Sequence, residues 1–448
     1  MSSMIDHLKG LSQTDPAKCM SLMRSVCQYV LRDPETAGQI CGSMSLDRIC
    51  VDLSKKLPII EVEGSAKPFV FVVSEIYQTG GHTRVIESII ESLGPENCLV
   101  LSTNLYNRQT LALLNWFTQR TGADLRICEA ADFLDKSAWI RANIKKDGIS
   151  NIYIVSHHDD VAAIAACYTP ECLARTLYLH HADHQLAFGA TIQDWRHVDF
   201  GIQIFDYCRR ELGLNNEIWH MAVPDRGVAD LCYQPETARR SVTCGSQTKF
   251  AWAGRLGFSD VIVAVIASTG GTHFHVGTLP ENEVAEMTRK LQVAGLSADR
   301  FKHVSFTPNL AQFIIDNSIS LYIGSFPVGG GRATVEALSV GVPILTHQND
   351  SSRLLSACDF MFDGAPFWST IEGLEDTLKS LLEDPDALVE LGKRGRNLFE
   401  QRHRAELFTR VAKGENWNTV FGSTQGVKSL RRDVFIEYAE KKNLKIRS

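Results

Sequence analysis

The chain has 448 residues, of which 44% are hydrophobic, and its formal net charge at pH 7 is −6. This length predicts two domains with full cores, and the acidic balance, with no basic stripe before the C-terminal tail, excludes a nucleic-acid-binding protein. Twelve cysteines without a CxxC pair, the lack of a signal-peptide core and the lack of an apolar run of ~18 residues favour a soluble, cytoplasmic protein.

The first half of the chain alternates apolar runs with amphipathic stretches, and this alternation predicts α/β structure. Residues 1–65 are predicted to form a helical N-terminal extension. Residues 66–235 are predicted to form a Rossmann-like domain, because strands that alternate with helices at this pace indicate a doubly wound parallel sheet. Its predicted strands are 69–73, 99–102, 125–128, 151–156, 173–179 and 198–205, and its predicted helices are 82–93, 111–121, 137–146 and 207–212.

A polar segment with Pro, Gly and Ser, 224–247, is predicted to connect the two domains. The second Rossmann-like domain, 247–426, is predicted to restart at 250–253 and to contain helices at 281–294, 374–382 and 387–402. A last helix, 427–444, is basic and amphipathic, and the segment 427–448 is predicted to pack back on the first domain. A helix that contacts an anionic membrane surface is the alternative for this segment.

The stretch 319–345 has the pattern of a strand, a glycine-rich loop, a helix and a second strand, which together form a βαβ unit. Glycines 329–331 let the backbone approach a ligand, and the first helical turn offers unpaired N–H groups at the positive end of the helix dipole. A diphosphate fits there, and Glu336, about one turn inside the helix, could accept hydrogen bonds from a ribose diol. The alternative is a tight turn whose glycines only permit packing.

From Pro68 to the C-terminus the chain resembles the GT-B glycosyltransferases. The motifs that carry the resemblance are Gly80-Gly-His-Thr-Arg-Val85, Gly254-Arg255, Gly329-Gly-Gly-Arg-Ala-Thr-Val-Glu-Ala337 and Gly341-Val-Pro343. A fainter similarity to the O-GlcNAc transferase and bacterial cytoplasmic N-glycosyltransferase group lies in His275-Val-Gly277 and Ser325-Phe-Pro327. The resemblance implies an α/β protein with two doubly wound Rossmann-like domains that face a cleft, and a nucleotide-sugar donor that is UDP-linked by family frequency.

The resemblance also implies which residues bind the donor. In the family pattern, the main chain of 304–307 holds the base, the glycine loop and the helix N-terminus hold the diphosphate, and Glu336 holds the ribose. The predicted donor-binding residues are Arg255, His275, Thr307, Gly329, Gly330, Gly331, Arg332, Ala333, Thr334 and Glu336.

Two departures from the family pattern favour a transfer that inverts the configuration of the anomeric carbon. Many retaining members carry a Glu eight residues before the ribose Glu, and this chain has Val328 there. The Lys that often follows the Gly-Arg pair is absent from 254–260. These departures leave the pyrophosphate charge to Arg255, Arg332 and the helix dipole.

An inverting transfer needs a base that takes the acceptor proton. The motif His180-His-Ala-Asp-His184 follows the predicted strand 173–179, and the carboxyl end of a strand in an open α/β sheet faces the ligand crevice. His181 is the first candidate base, followed by His180 and His184, with Asp183 as the carboxylate alternative. A cleft loop, Gly80-Gly81-His82, follows the first strand of the same half.

Two alternatives for the histidines stay open. Metal binding is one, because His180 and His184 could share a helical face, but HExxH and CxxC spacings are absent and no metal site is predicted. The other is a structural role, in which the rings satisfy backbone groups of the loops.

The sequence therefore predicts a hexosyltransferase-like glycosyltransferase that requires neither metal nor cofactor. Its acceptor is a saccharide, a lipid-linked saccharide or a protein, expected to bind mainly to residues 68–223, and a peripheral membrane contact is an alternative partner. A sugar-nucleotide 2-epimerase of the same fold and a catalytically silent GT-B binding subunit are the rival functions.

Overall fold

The computed structural model describes residues 2–62, 67–78, 81–144, 147–181, 184–229, 239–251, 256–422 and 433–442. The chain divides into two compact units. The first unit consists of residues 1–219 together with 409–448, and the second consists of residues 220–408. The domain limits given by the sequence analysis stay a prediction.

The first unit is built on a parallel sheet of seven strands in the order β3-β2-β1-β4-β5-β6-β7. Its strands are β1 Phe69–Val73, β2 Cys98–Ser102, β3 Asp124–Ile127, β4 Asn151–Val155, β5 Thr176–His180, β6 Arg196–Asp199 and β7 Glu217–Ile218. Its helices up to β7 are α1 Ser2–Thr14, α2 Pro16–Arg32, α3 Met44–Ser54, α4 Gly81–Leu93, α5 Leu111–Thr121, α6 Phe133–Ile144, α7 Val161–Cys167 and α8 Ile202–Tyr207. A π-helical turn, Cys208–Leu212, follows α8.

The second unit repeats this design with six parallel strands in the order β10-β9-β8-β11-β12-β13. Its strands are β8 Arg240–Cys244, β9 Thr272–Val276, β10 Phe301–Val304, β11 Leu321–Ile323, β12 Ile344–His347 and β13 Phe367–Trp368. The remaining helices of the chain are α9 Gln247–Phe250, α10 Phe258–Thr269, α11 Glu281–Val293, α12 Leu310–Asp316, α13 Gly331–Ser339, α14 Ile371–Glu383, α15 Pro385–Arg402, α16 Ala405–Ala412, α17 Trp417–Phe421 and α18 Val434–Lys441.

The predicted fold class, α/β with two doubly wound parallel sheets and an N-terminal helical extension, is confirmed. Several strands of the first sheet are rich in β-branched and aromatic residues, as is typical of parallel strands that are buried on both faces. In β1, for example, Val70, Phe71, Val72 and Val73 are fully buried.

The helices at both ends of the chain belong to the core of the first unit. Asp15 caps α2 by accepting a hydrogen bond from the Lys18 N–H, and Pro16 occupies the first helical position. The apolar side chains of α1 to α3 share one cluster with those of the sheet. Phe435 of α18 is fully buried in that cluster, and the Tyr438 hydroxyl donates to Asp33 Oδ2 at 2.7 Å. Residues 427–432 and 443–444 of the predicted last helix lie outside the described residues.

Two segment predictions are wrong. The predicted strand 198–205 ends at Asp199, because Gly201 is the N-cap of α8 and Phe205 is buried on the helix. The predicted connection 224–247 contains β8, which pairs with both β9 and β11 and starts the second sheet ahead of 250–253. The sequence pattern did not predict β8, because its polar residues are buried against β9.

The hydrogen bonds of β8 show how a polar strand can be central. Ser241 Oγ lies 2.8 Å from His273 Nδ1, and Thr243 Oγ1 lies 3.1 Å from His273 Nε2. Each buried hydroxyl therefore has a partner on β9, so the strand needs few apolar residues. In the described part of the chain, no helix is both long enough and apolar enough to cross a bilayer.

Candidate functional site

The glycine-rich loop of the second unit lies between β11 and α13, at the carboxyl end of its sheet. The Gly329 N–H donates to the Leu355 carbonyl at 2.7 Å, and a Cβ on Gly329 would lie only 2.3 Å from the Ala357 nitrogen. Gly330 is the N-cap of α13. Position 329 therefore admits no side chain, and the loop presents bare backbone at the N-terminus of a helix.

A lysine that the sequence analysis missed lies against this loop. Lys249 Nζ donates to the Gly329 carbonyl at 2.8 Å, and a Cβ on Gly330 would come within 3.3 Å of the same nitrogen. Lys249 belongs to α9, five residues after the end of β8. A lysine shortly after the first strand of a sheet would have indicated this position. The sequence analysis did not recognise it, because it assigned the residues of β8 to a connection between domains.

Glu336 and Arg332 lie one turn apart on α13 and pair with each other. Glu336 Oε1 accepts from Arg332 Nε at 3.1 Å, and Glu336 Oε2 accepts from the Leu310 N–H at 2.9 Å. Leu310 begins α12, directly after the loop that contains Thr307 and an exposed Phe306. The structure therefore brings the predicted ribose acid next to the segment predicted to hold the base.

The other predicted donor-binding residues take different positions. His275 is fully buried, with Nδ1 2.9 Å from Thr243 Oγ1, and burial together with His303 lowers its pKa to about 3. Thr334 is buried in the first turn of α13, where its N–H donates to the Gly330 carbonyl at 3.0 Å. Gly331 and Ala333 are half-buried on the same turn. Arg255 lies outside the described residues.

The first unit carries three half-buried histidines at the carboxyl end of its sheet, which we call the histidine cluster (His82, His157 and His181). They follow β1, β4 and β5, whose ends meet at one edge. His82 Nδ1 lies 3.0 Å from His181 Nε2, and His157 Nε2 lies 3.0 Å from the hydroxyl of Tyr77. The sequence analysis missed Tyr77, which precedes a helix without any motif of its own.

The hydrogen bonds of His82 assign the tautomers of the cluster. His82 Nε2 lies 3.1 Å from the Glu75 carbonyl, which can only accept, so Nε2 carries the proton and Nδ1 is the acceptor. His181 must then donate from Nε2 to His82. The acceptor nitrogen of His181, Nδ1, is buried and has no hydrogen-bond partner among the described residues.

Burial sets the charge state of these rings. Burial, and next the proximity of His157, lowers the pKa of His82 to about 3. Burial also lowers the pKa of His157 and, together with His82, that of His181. All three rings are therefore neutral at pH 7 and offer lone pairs, and an anionic ligand bound beside them would raise their pKa.

The adjacent candidates His180 and His181 have different surroundings. His180 is fully buried, with Nδ1 3.1 Å from Asp199 Oδ1, because it is the last residue of β5 and successive side chains of a strand point to opposite faces. This placement argues against His180 as a base. His184 is half-buried, and its ring centroid lies 6.2 Å from that of His158. Asp183 and Gly80 lie outside the described residues, and Gly81 begins α4.

A buried carboxylate, Asp160, joins the ends of two strands of the first sheet to the start of α7. Asp160 Oδ2 accepts from Ser74 Oγ and from Thr103 Oγ1, both at 2.6 Å, and Oδ1 accepts from the Ala163 N–H at 3.0 Å. Ser74 follows β1, Thr103 follows β2 and Ala163 is in the first turn of α7. This carboxylate therefore has a structural role, because it holds the ends of β1 and β2 against the start of α7.

No family model and no curated protein matches this sequence. Solved structures do match. HepE from Anabaena, crystallised with UDP and glucose, is 14% identical with a TM-score of 0.58, over 78% of this chain and 98% of that one. A variant of the O-GlcNAc transferase from Thermobaculum terrenum is 15% identical with a TM-score of 0.53, over 93% of this chain and 80% of that one.

The lipopolysaccharide outer core galactosyltransferase WaaB, in its apo form, is 12% identical with a TM-score of 0.56, over 79% of this chain and 99% of that one. Identities this low show the fold alone. The fold is that of the GT-B glycosyltransferases, and the predicted resemblance to them is confirmed at this level.

Proposed function

We propose that the protein is an inverting glycosyltransferase that moves a sugar from a UDP-linked donor to an acceptor. The observation that carries the proposal is the edge of the second sheet, where Lys249 contacts the glycine-rich loop and Glu336 lies on the helix that follows it. This arrangement supports binding of a nucleoside diphosphate. A solved structure of the same fold, HepE, has been crystallised with UDP-glucose, which supports a donor of this class.

The second unit binds the donor in this proposal. Lys249 and the N–H groups of the first turn of α13 hold the diphosphate, because a lysine charge and a helix N-terminus both favour anions. Glu336 binds the ribose diol, exchanging its present hydrogen bond from Arg332 for the hydroxyls. The main chain of 304–307, beside the exposed ring of Phe306, receives the base.

The first unit supplies the base in this proposal. In this proposal a rearrangement on acceptor binding exposes Nδ1 of His181, which is buried in the structure. The acceptor proton moves to this nitrogen as the acceptor atom bonds to the anomeric carbon and the bond from that carbon to the diphosphate oxygen breaks. The electron pair leaves with the diphosphate, whose charge Lys249 and α13 stabilise. His82 accepts a hydrogen bond from the other nitrogen of His181, so it orients the imidazolium that forms.

The proposal assigns no metal or cofactor to this reaction, because a lysine and a helix N-terminus can carry the charge of the leaving group. A cytoplasmic location also belongs to it. No disulfide joins the cysteines in the described ranges, as expected in a reducing compartment. Saccharide, lipid-linked and protein acceptors remain equal candidates.

A thermal-shift screen of nucleotides and sugar nucleotides tests the donor. UDP at ~100 times its dissociation constant should stabilise the protein by about 2.7 kcal/mol. The second stage measures free UDP from UDP-sugars with and without mixtures of the three acceptor classes. Release of UDP that requires an acceptor supports transfer, whereas isomerised donor without acceptor establishes the 2-epimerase. A protein that no nucleotide stabilises is a silent binding subunit, and the proposal is then wrong.

A further inference from the structure

Four fully buried side chains of the first unit form a second cluster, which we call the buried tetrad (His180, His197, Asp199 and Cys208). His180 ends β5, His197 and Asp199 lie on β6, and Cys208 begins the π-helical turn after α8. The strand register pairs His180 with Asp199, so these two side chains and that of His197, two residues away, share one face of the sheet. None of the four is more than 2% exposed.

The distances within the tetrad match those of a four-coordinate metal site. Asp199 Oδ1 lies 3.1 Å from both His180 Nδ1 and His197 Nε2, and Cys208 Sγ lies 3.6 Å from His180 Nδ1 and 3.7 Å from Asp199 Oδ1. Zinc bonds of about 2.0–2.1 Å to N or O and about 2.3 Å to S place tetrahedral ligands ~3.3 Å apart for N and O, and ~3.6 Å apart for S and N. These four distances already lie within a few tenths of an ångström of those values, and all pairs of the four ligand atoms lie within 4.8 Å of one another. A bound ion would therefore draw the more distant pairs closer together.

The charges of the tetrad also fit a divalent ion. One carboxylate, one thiolate, two neutral imidazoles and Zn²⁺ sum to zero, and a net charge buried in a protein interior is costly. Asn216 Nδ2 donates to the second oxygen of Asp199 and also to the Phe205 carbonyl. This outer hydrogen bond orients the carboxylate, as metal-binding carboxylates require.

A metal-free alternative uses the same residues. Asp199 would accept N–H bonds from both histidines and an S–H bond from Cys208. The remaining nitrogens, His180 Nε2 and His197 Nδ1, have no hydrogen-bond partner in the described ranges. In the metal-free form the carboxylate therefore holds the proton of each ring on the nitrogen that faces it. An ion would require each ring to carry its proton on the outer nitrogen and to present its lone pair toward the centre of the tetrad.

We propose that the buried tetrad binds one zinc ion as a closed structural site that joins β5, β6 and the π-helical turn. The inference is independent of the proposed function, since the tetrad side chains hydrogen-bond to one another and to Asn216, and none of these bonds reaches a ring of the histidine cluster, although His180 is adjacent to His181 in the chain. It departs from the sequence prediction of no metal. The ligands are brought together by strand register over 180–208, a spacing that matches none of the zinc motifs the sequence analysis tested.

The test begins with the full-length protein, purified without a histidine tag from cells grown with added zinc. Plasma emission spectrometry should find about one zinc per chain, as a closed site with four protein ligands requires. Protein from cells grown with cobalt should show the visible bands of tetrahedral Co²⁺ and a near-ultraviolet thiolate charge-transfer band. A protein that contains neither metal, and whose spectrum does not change when Co²⁺ is added, overturns the proposal.

Variants assign the ligands. Cys208→Ser should abolish the thiolate charge-transfer band, and His197→Gln should lower the zinc content at least tenfold. Cys98→Ser and His82→Gln, which alter a buried cysteine and a histidine of the same unit outside the tetrad, should keep the metal. Metal content that none of these substitutions changes would mean adventitious binding and overturn the site. If the tetrad variants fail to fold, the wild-type cobalt spectrum decides, because a bound ion without a thiolate band excludes Cys208.

Discussion

The six strands of the second sheet follow the same order as the first six strands of the first sheet, yet different kinds of residue lie at the two carboxyl edges. The edge of the first sheet is filled by the neutral rings of the histidine cluster, which hydrogen-bond to one another. The edge of the second sheet is bare backbone at Gly329 and Gly330, flanked by the charges of Lys249 and Glu336. Topology fixes where a ligand can bind, and side chains decide which ligand it is.

The difference has a local cause in each unit. His82 opens α4 with a ring that bonds backward to the Glu75 carbonyl, so the helix start is covered by a side chain. The start of α13 carries no side chain at Gly329 or Gly330, because a side chain at Gly329 would collide with the Ala357 backbone. The first edge is therefore suited to proton transfer and the second to binding an anion.

The largest expected effect comes from the first edge. His181→Ala should lower turnover by about 10²–10⁴-fold, the range for loss of a general base, and leave UDP affinity unchanged. Initial rates and calorimetry measure the two quantities separately. His7→Ala, at an exposed histidine of α1, is the matched control and should keep full turnover. Full turnover in His181→Ala would place the base elsewhere, with His82 the next candidate.

The second edge should respond in nucleotide affinity, by a smaller factor. Glu336→Ala should weaken UDP by roughly 10–100-fold, since a hydrogen bond to a charged group contributes about 1.5–3 kcal/mol. Glu375→Ala, at an exposed acid of α14, should change nothing. Uridine lacks the phosphates but keeps the ribose, so Glu336→Ala should weaken uridine as well. Equal UDP affinity in the two variants would remove Glu336 from the site.

Lys249→Met separates the phosphates from the ribose at the same edge. It should weaken UDP by roughly tenfold or more and leave uridine affinity nearly unchanged, because the lysine meets only the diphosphate. Calorimetry with both ligands gives the ratio directly. A variant that loses both ligands equally would show that Lys249 supports the loop through the Gly329 carbonyl and does not bind phosphate.

The contrast between the edges also shows what the sequence could reveal. The apolar run of β1 and the periodicity of α4 predicted both elements within a residue, because burial on a regular element leaves a regular pattern. β8 left none, since Ser241 and Thr243 are buried through hydrogen bonds to β9. Because β8 was not predicted, Lys249 was not recognised as a residue that closely follows a strand.

The sequence also could not show that two neighbouring candidate histidines have different surroundings. His180 and His181 are adjacent in sequence, but strand alternation gives one to the buried tetrad and the other to the histidine cluster. Asp199 lies opposite His180 on the neighbouring strand β6, and His82, the partner of His181, lies on α4. Only the fold could supply those pairings.

Acid should destabilise both units, and one substitution in each can show it. The pKa of His82 falls to about 3 and that of His403 to about 4, in both cases mainly through burial. Because these folded-state values lie below about 6.5, the unfolded chain binds protons first, so stability is full above pH 6.5 and falls as pH drops toward 4. Each ring should steepen the decline by about 1.4 kcal/mol per pH unit.

Urea unfolding between pH 7 and 5 measures that decline. His82→Gln and His403→Gln should each reduce the slope by about one proton, while His7→Gln should not. Asp47 works against the trend in the first unit. Burial raises its pKa to about 6 despite hydrogen bonds from Gly189 and Thr191. The unfolded chain therefore releases this proton first, and the folded state loses stability as pH rises from about 4 to 6. A slope unchanged in both histidine variants would contradict the depressed pKa values.

The smallest expected effect concerns divalent ions at the second edge. In the proposed reaction Lys249 and the N-terminus of α13 oppose the diphosphate charge, so EDTA and added Mg²⁺ or Mn²⁺ should leave turnover unchanged. Zinc is measured in the same samples, because loss of an ion from the buried tetrad would act through folding and would not be reversed by Mg²⁺ or Mn²⁺. Activity lost in EDTA with zinc retained, and restored by Mn²⁺, would mean that a metal shares the task given to Lys249. The contrast between the two edges would then be one of ligands for an ion as well as of side-chain charge.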